Sequence, residues 1–456
     1  MKISTAPTYS NDSKQSIRVK NFMNSAFKTF SLYDNVRSIP AIDGLKPSQR
    51  KALYGVSLRG ENAGFMQVER LSAHVASTTD YHHGVGSMEG TIAGMGATKY
   101  PGSNNMNLFI PEGQFGSRLT KEPGAGRYIE TALSPFFRQL MRKEDDAILE
   151  HNMVDGEKIE PKLYLPILPL ALINGASGTG TGHACEIKSY KPHDIRDAVL
   201  KVLNGKKLVE GTLIPWFRGF HGDVDRNPEN GQVIMTGKLE VKNSTTILIT
   251  ELPVGVFLDD YKDHLNKLEE KEFIKDWNDA STEESFEFTV TVPRTTTALD
   301  EVELYQKFKL ISRDTENFTM WNSKGLLQRF TSAEAVIEEF TTWRLGFYQK
   351  RLDKLISDTR ENIRLQSEVV RFIKFYLKNV NLFRDTSKKD IINVLTENDF
   401  VDYEKLLSMP IWNLTRDRIA ELEKKLEALI DQLDTLLSDT ASSMYERELK
   451  QFNYVG

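Results

Sequence analysis

The chain has 456 residues, 39% of them hydrophobic, which is enough for two to four domains with buried cores. No run of about 18 apolar residues occurs, and the first twenty residues are polar, so the sequence offers neither a membrane span nor a secretory signal. The lone Cys185 excludes an internal disulfide and a cysteine-based zinc site, which fits a cytoplasmic protein. The net charge of −5 is unevenly spread. Up to Lys143 there are 18 Lys and Arg against 10 Asp and Glu, so the acidic excess lies in the remainder. A polyanion responds to local potential rather than to the total, which directs attention to the basic part; a solvated basic face is the alternative.

In chain order, "GLKPSQRKALYGV" (Gly44 to Val56) predicts a turn and then a helix with Pro47 in its first turn, where a missing N–H costs nothing. "FMQVERLSAHVAS" (Phe65 to Ser77) has helical apolar spacing, and "YHHGVGSMEGTIAGMG" (Tyr81 to Gly96) follows across a short turn. Two short helices joined in this way predict a helix-turn-helix or winged-helix unit. "LPILPLALINGASGTGTGHA" (Leu165 to Ala184) reads as an apolar, strand-like run breaking into small residues. From about Lys188 to Ser332, segments such as "GQVIMTGKLEV" and "SFEFTVTVP" predict a separate α/β domain. From Ala333 the chain turns helical, and Ile419, Leu422, Leu426, Leu429, Leu433 and Leu436 form a heptad seam. Leu352, Ile356, Ile363 and Val370 lie on a compatible stripe, so an antiparallel pair with a globule from Leu382 to Leu414 at its tip is expected; an ordinary helical bundle is the alternative.

Three clusters in the basic part suit phosphodiester chemistry: Lys46, Arg50 and Lys51 in "KPSQRK", His82 and His83 in "YHHG", and Arg127 with Tyr128 in "GAGRYIE". A tyrosine hydroxyl attacks phosphorus only if its deprotonation is assisted, and the pentavalent transition state needs cations on its non-bridging oxygens. An isolated Arg-Tyr pair is more often a half-buried aromatic beside a surface cation. The glycines of "GASGTGTGH" lack the Lys-Ser/Thr ending of a P-loop and a strand-GxGxxG-helix frame, so packing or close backbone approach explains them better than nucleotide binding. Asp223 and Asp225 form a DxD without a companion acidic motif, and solvated strand-end carboxylates account for them. No metal ligand set is assigned.

Taken in order, "GLKPSQRKALY", "YHHGVGSMEGTI", "GSNNMNLFIPEGQFGSRL", "RYIETALSP", "EPKLYLPILPLALINGASGTGTGHA", "PWFRGFHG" and "YEKLLSMPIWNLT" resemble the breakage-reunion portion of type IIA DNA topoisomerases. The wording is closer to the eukaryotic enzymes than to bacterial gyrase, and the layout is similar to the medium subunit of T-even-type phage topoisomerases, which makes a phage or viral source the expectation. The resemblance implies a mixed α/β, helix-rich fold: an N-terminal arm (1–30), a winged-helix breakage-reunion domain (31–187), a tower (188–332), and a coiled-coil arm with a dimerising C-gate (333–456). It implies Tyr128 as the nucleophile that becomes joined to a 5′ DNA end, with Arg127, Arg50 and His83 at the scissile phosphate. It further implies DNA contacts from Lys46, Lys51, His82, Ser87, Arg118 and Thr179.

Thr179 departs from the family, whose loop carries a bending isoleucine there; a threonine buries less apolar surface, so gentler bending is expected. The acidic Toprim motifs and the ATPase domain of the family have no counterpart in this sequence. Mg²⁺ and ATP are therefore expected on a separate large subunit, in a heteromeric assembly with a homodimer of this chain and double-stranded DNA. ATP-dependent relaxation or decatenation is the activity implied, and a non-catalytic DNA-binding architectural protein is the alternative.

Overall fold

The structure is a computed structural model that describes residues 18–60 and 62–454; the first 17 residues of the expected N-terminal arm lie outside the described residues. Packing divides the chain into two compact units. Among the described residues, the first comprises 18–60, 62–133, 169–191 and 210–336.

Its leading segment is helical: α1 (Val19–Phe22), a π-helical turn (Met23–Phe27) and α2 (Lys28–Ser38). Helix α3 (Pro47–Ser57) starts where expected, with Pro47 in its first turn and the Lys46 N–H donating to Gln49 Oε1 at 2.9 Å. Helix α4 (Val68–Thr79) ends on Asp80 in the left-handed region (φ 53°), and α5 (Val85–Gly96) follows Gly84 (φ 84°). Ala52, Leu53, Val56, Leu71, Val75, Met88 and Ile92 from these three helices are buried together in the core. Each large aliphatic side chain there contributes roughly 1.5–3 kcal/mol by leaving water. A Cβ on Gly55 would lie 2.8 Å from Val75 Cγ2, so the close crossing of α3 and α4 requires glycine. Beside the helices, β1 (Met66–Gln67), β2 (Phe109–Glu112) and β3 (Glu130–Leu133) form an antiparallel sheet in the order β1-β3-β2, with Phe109 opposite Leu133 and Met66 opposite Thr131.

The run from Leu165 to Ala184 is not a strand at its apolar end: Leu170–Asn174 is a short helix, and a hairpin of Ala176–Thr179 with Ala184–Ile187 follows. Pro166 and Pro169 remove the donors that a strand ladder needs. Leu170 to Ile173 are buried at every position, so no face of a strand is being distinguished. Beyond this, a four-stranded antiparallel sheet built on Thr246–Glu251 and Phe288–Thr291 packs on the helix Leu258–Glu270 through Ile247, Ile249, Tyr261, Leu265 and Phe288. Asp223 and Asp225 take the exposed positions of the strand Asp223–Arg226.

The second unit comprises, among the described residues, 134–168, 192–209 and 337–454. It is organised around the 46-residue helix Ala333–Lys378, about 70 Å long at 1.5 Å per residue. Helix Arg416–Ser438 runs antiparallel to it: Lys374 pairs with Glu423 at 2.7 Å, while Ile356 and Arg360 share a groove with Leu437. Leu422 is buried and the other seam leucines are half-buried, whereas most residues between them are exposed. At the far end, Phe372, Ile373, Ile391, Leu395, Phe400, Leu414 and Leu422 form one apolar cluster. At the root, the buried Asp145 binds Arg344 and lies 3.4 Å from Arg351; Arg351 also binds Glu448, which accepts from the Tyr348 hydroxyl at 2.6 Å. Among the described residues no helix is long and apolar enough to cross a membrane.

Candidate nucleic-acid interface

All the sequence-predicted site residues lie in the first unit, and all but Arg118 are on three structures: the turn before β3, the junction of α4 and α5 with the start of α3, and the hairpin Ala176–Ile187. Helix α4 has no side-chain cap, and its first N–H groups would be orphaned. The turn supplies their acceptors: Val68 N donates to Ile129 O at 3.0 Å and Glu69 N to Gly126 O at 3.1 Å. Gln67 Nε2 donates to Arg127 O at 3.2 Å, and Gly124 N to Gln114 O at 2.8 Å. A Cβ on Gly126 would meet Glu89 Oε2 at 2.6 Å, so the glycine lets the turn lie against α5. The backbone is pinned and the side chains face out. Tyr128 is 73% exposed, the Arg127 guanidinium stands 4.8 Å from its ring centre, and among the described residues nothing is hydrogen-bonded to its hydroxyl.

The second group surrounds His83, whose Nε2 lies 2.9 Å from the Tyr33 hydroxyl and whose ring meets Tyr81 edge-on at 5.4 Å. The Tyr81 hydroxyl donates to Ser87 Oγ at 3.1 Å, and His82 Nε2 lies 2.9 Å from Asp80 Oδ1. Although the His83 ring is exposed, partial desolvation between the tyrosines lowers its pKa, and Arg37, His82 and Lys51 lower it further by repelling a second positive charge. Lys51 Nζ donates to Thr79 O, and Lys46 Nζ to Ser177 O at 2.7 Å. Desolvation also lowers the Lys46 pKa.

The third structure, the hairpin, carries Thr179 exposed at the end of its first strand. It is seated on α2 with no room to spare: a Cβ on Gly178 would fall 1.9 Å from Ser38 O, and one on Gly180 2.1 Å from Asn35 Oδ1. Thr181 Oγ1 donates to Asp34 Oδ2 at 2.7 Å. The glycines thus serve close backbone approach. Buried Cys185 has its thiol pushed up to about 12 by desolvation and takes no part. Between hairpin, α3 and α5 runs an open groove of about 460 Å³ lined by Lys46, Ser48, Gln49, Ser87, Thr91 and Ser177.

Arg50, expected at the scissile phosphate, and Arg118, expected at the DNA, are instead interior. Arg50 is buried and bound to Asp43 through Nε–Oδ2 and Nη2–Oδ1, both 2.7 Å, with Leu45 O as a third acceptor at 2.8 Å. It thereby fixes the turn that presents Lys46. Arg118 is 3% exposed, with Nη1 at 2.5 Å and Nη2 at 3.0 Å from the Glu251 carboxylate, so it holds the core together and does not face solvent. Among the described residues no hydrogen bond, ion pair or ring contact joins Tyr128 or Arg127 to Arg50, His82 or His83. Asp43, Glu251 and Tyr33 were not singled out from sequence: Glu251 and Tyr33 act on residues 133 and 50 positions away, which no local pattern marks, while Asp43 reaches Arg50 only seven residues on, across a turn whose shape the sequence does not show.

A family model described as the A-subunit of DNA gyrase/topoisomerase IV matches residues 37–450. DNA topoisomerase 2 of Penicillium chrysogenum is 33% identical over 493 residues, covering 98% of this chain and 30% of that protein. The mitochondrial DNA topoisomerase 2 of Dictyostelium discoideum is 34% identical over 457 residues, covering 95% and 35% respectively. The solved DNA-binding, cleavage and re-ligation domain of Plasmodium falciparum topoisomerase II superposes with a TM-score of 0.86 at 33% identity, over 95% of this chain and 63% of that one. The chain spans about a third of the length of the curated relatives it matches.

Proposed function

The chain belongs to the A-subunit family of DNA gyrase/topoisomerase IV, and we propose that it carries out the strand-breaking and rejoining step of an ATP-dependent type II DNA topoisomerase. The observation that carries this is Tyr128, an exposed phenol on a backbone-pinned turn with a guanidinium against its ring. In the proposed step, Tyr128 Oη bonds to phosphorus and loses its proton to solvent or a nearby base. The bond from phosphorus to the 3′ oxygen breaks, and that oxygen takes up a proton. One phosphodiester is exchanged for another, so rejoining is the reverse attack and needs no added energy. Arg127 lies where it can neutralise a non-bridging oxygen, and His83 offers a hydrogen bond from the α4–α5 junction. Arg50 supports the site through Asp43.

The packed helices α3 to α5 beside the small sheet support a winged-helix assignment within a breakage-reunion domain (31–187), preceded by an N-terminal arm (1–30). The strand-rich middle (188–332) serves as the tower, and the antiparallel helices of residues 333–456 as a coiled-coil arm ending in a dimerising C-gate. The open groove beside Lys46 and Ser87 suits a DNA backbone, and Thr179 stands at the hairpin edge as the bending contact. Among the described residues no group of three His, Cys, Asp or Glu is placed to hold a metal ion. The residues present do not fit a Mg²⁺ site. Mg²⁺ and ATP are assigned to a separate large subunit on the sequence layout; in the relatives, roughly two thirds of the length lies beyond the matched part and belongs to the same chain. A cytoplasmic location goes with this assignment. The Penicillium and Dictyostelium relatives are eukaryotic, so a viral source rests on the sequence layout alone.

The test combines the chain with a large subunit, supercoiled DNA and Mg²⁺. Wild type should give detergent-trapped breaks, and Tyr128→Phe none while still binding DNA. Cleavage retained in Tyr128→Phe would refute the proposal, and absence of cleavage in both with binding intact would favour an architectural role.

A further inference from the structure

We propose that Tyr33 is a positioning residue for His83, engaging Nε2 so that Nδ1 is the hydrogen-bond donor presented to a DNA phosphate. This rests on the DNA-cleaving role given to the same surface. Tyr33 and His83 are 50 residues apart in the chain, yet hydroxyl and Nε2 are 2.9 Å apart, with the rings tilted at 46°. Tyr81 also packs edge-on against the imidazole and is itself tied to Ser87. A ring flip that exchanged the two nitrogens would break the Tyr33 bond.

Tyr33 is in turn held in place. Its neighbours on α2 are fixed to the hairpin: Asp34 accepts from Thr181 Oγ1, and Asn35 Nδ2 donates to Thr181 O at 3.1 Å. Arg37, one turn on, sets its guanidinium 5.4 Å from the Tyr33 ring centre. A cation at the ring makes the phenol a better donor, which favours Tyr33 O–H pointing to Nε2 over the reverse.

The charges facing the imidazole act in the same direction. Desolvation first, and then Arg37 on α2, His82 beside it, itself neighboured by Asp80, and Lys51 on α3, lower the His83 pKa and so favour the neutral ring. A neutral imidazole whose Nε2 accepts a hydrogen bond must carry its proton on Nδ1. Such a ring donates without being protonated, and its contribution to a phosphate contact survives as pH rises through the histidine range.

Tyr33→Phe keeps the ring against Arg37 and removes only the hydroxyl. Two measurements decide the matter: the His83 tautomer by ¹⁵N NMR of the histidine-labelled chain, assigned with His83→Gln, and the rate of covalent DNA attachment with the large subunit from about pH 6 to 9. Wild type should show the Nδ1–H tautomer, and its rate at each pH is the reference. The Phe variant should show mixed tautomers and a rate that, relative to wild type at the same pH, falls about three- to tenfold toward high pH, as expected for one lost hydrogen bond. The same tautomer and the same pH profile in both proteins would overturn the inference. If wild type attaches no DNA, the cleavage role itself fails, and the tautomer comparison still decides whether Tyr33 sets the ring.

Discussion

Replacing Asp145 by Asn should destabilise the second unit more than any surface change, because the carboxylate is the shared counter-ion of two guanidiniums that have lost their water. Arg344 and Arg351 have side chains 0% and 2% exposed, and Asp145 is 3% exposed. Asparagine keeps the shape and removes the charge, leaving Arg344 with the Pro166 carbonyl at 3.1 Å and Arg351 with Glu448. Breaking a buried pair in this way costs about 3–5 kcal/mol. At about 2–4 °C per kcal/mol for 150–250 residues, the unit's calorimetric transition should fall by roughly 6–20 °C. Asp145→Leu combined with Arg344→Met should recover much of that loss, since an apolar replacement of a buried pair is often neutral. An Asn variant melting within about 2 °C of wild type would refute the reasoning and show that the guanidiniums remain hydrated.

Other substitutions separate the roles of individual side chains. Gly178→Ala must displace the hairpin from Ser38 O, costing about 1–3 kcal/mol in a thermal melt; an unchanged melt would mean the hairpin is not seated there. Arg118→Ala should lower stability by about 3–5 kcal/mol through its stranded Glu251, with little change in the salt dependence of DNA binding. Lys46→Ala should instead reduce that salt slope by about one, measured by fluorescence anisotropy across a salt series. Thr179→Ile should increase DNA bending measured by energy transfer between end labels, and identical bend angles would remove Thr179 from the DNA-bending role.

Local signals made much of the architecture legible. Pro47 and the polar turn before it marked the start of α3, the three-four spacing marked the seam from Ile419 to Leu436, and small residues marked a loop of close backbone approach later seen at Gly178 and Gly180. What sequence did not reveal was pairing across distance. Arg118 and Glu251 are 133 residues apart, and nothing near either shows that one neutralises the other in the core. Arg50 looked like a free cation because Asp43 lies across a turn whose shape is set by tertiary packing. The prolines of the run from Leu165 were the signal against a strand there, but four consecutive buried side chains hide the period that distinguishes helix from strand.

The most direct test of the central claim is the chemical identity of the protein–DNA link. Complexes formed with the large subunit, supercoiled DNA and Mg²⁺ would be trapped with detergent and digested with nuclease and protease, and the nucleotide-bearing peptide sequenced by mass spectrometry. The expected product is a 5′-phosphotyrosyl linkage on Tyr128, in the peptide containing Gly126 and Ile129. A link to any other residue, or to a 3′ phosphate, would contradict the proposed strand-breaking step.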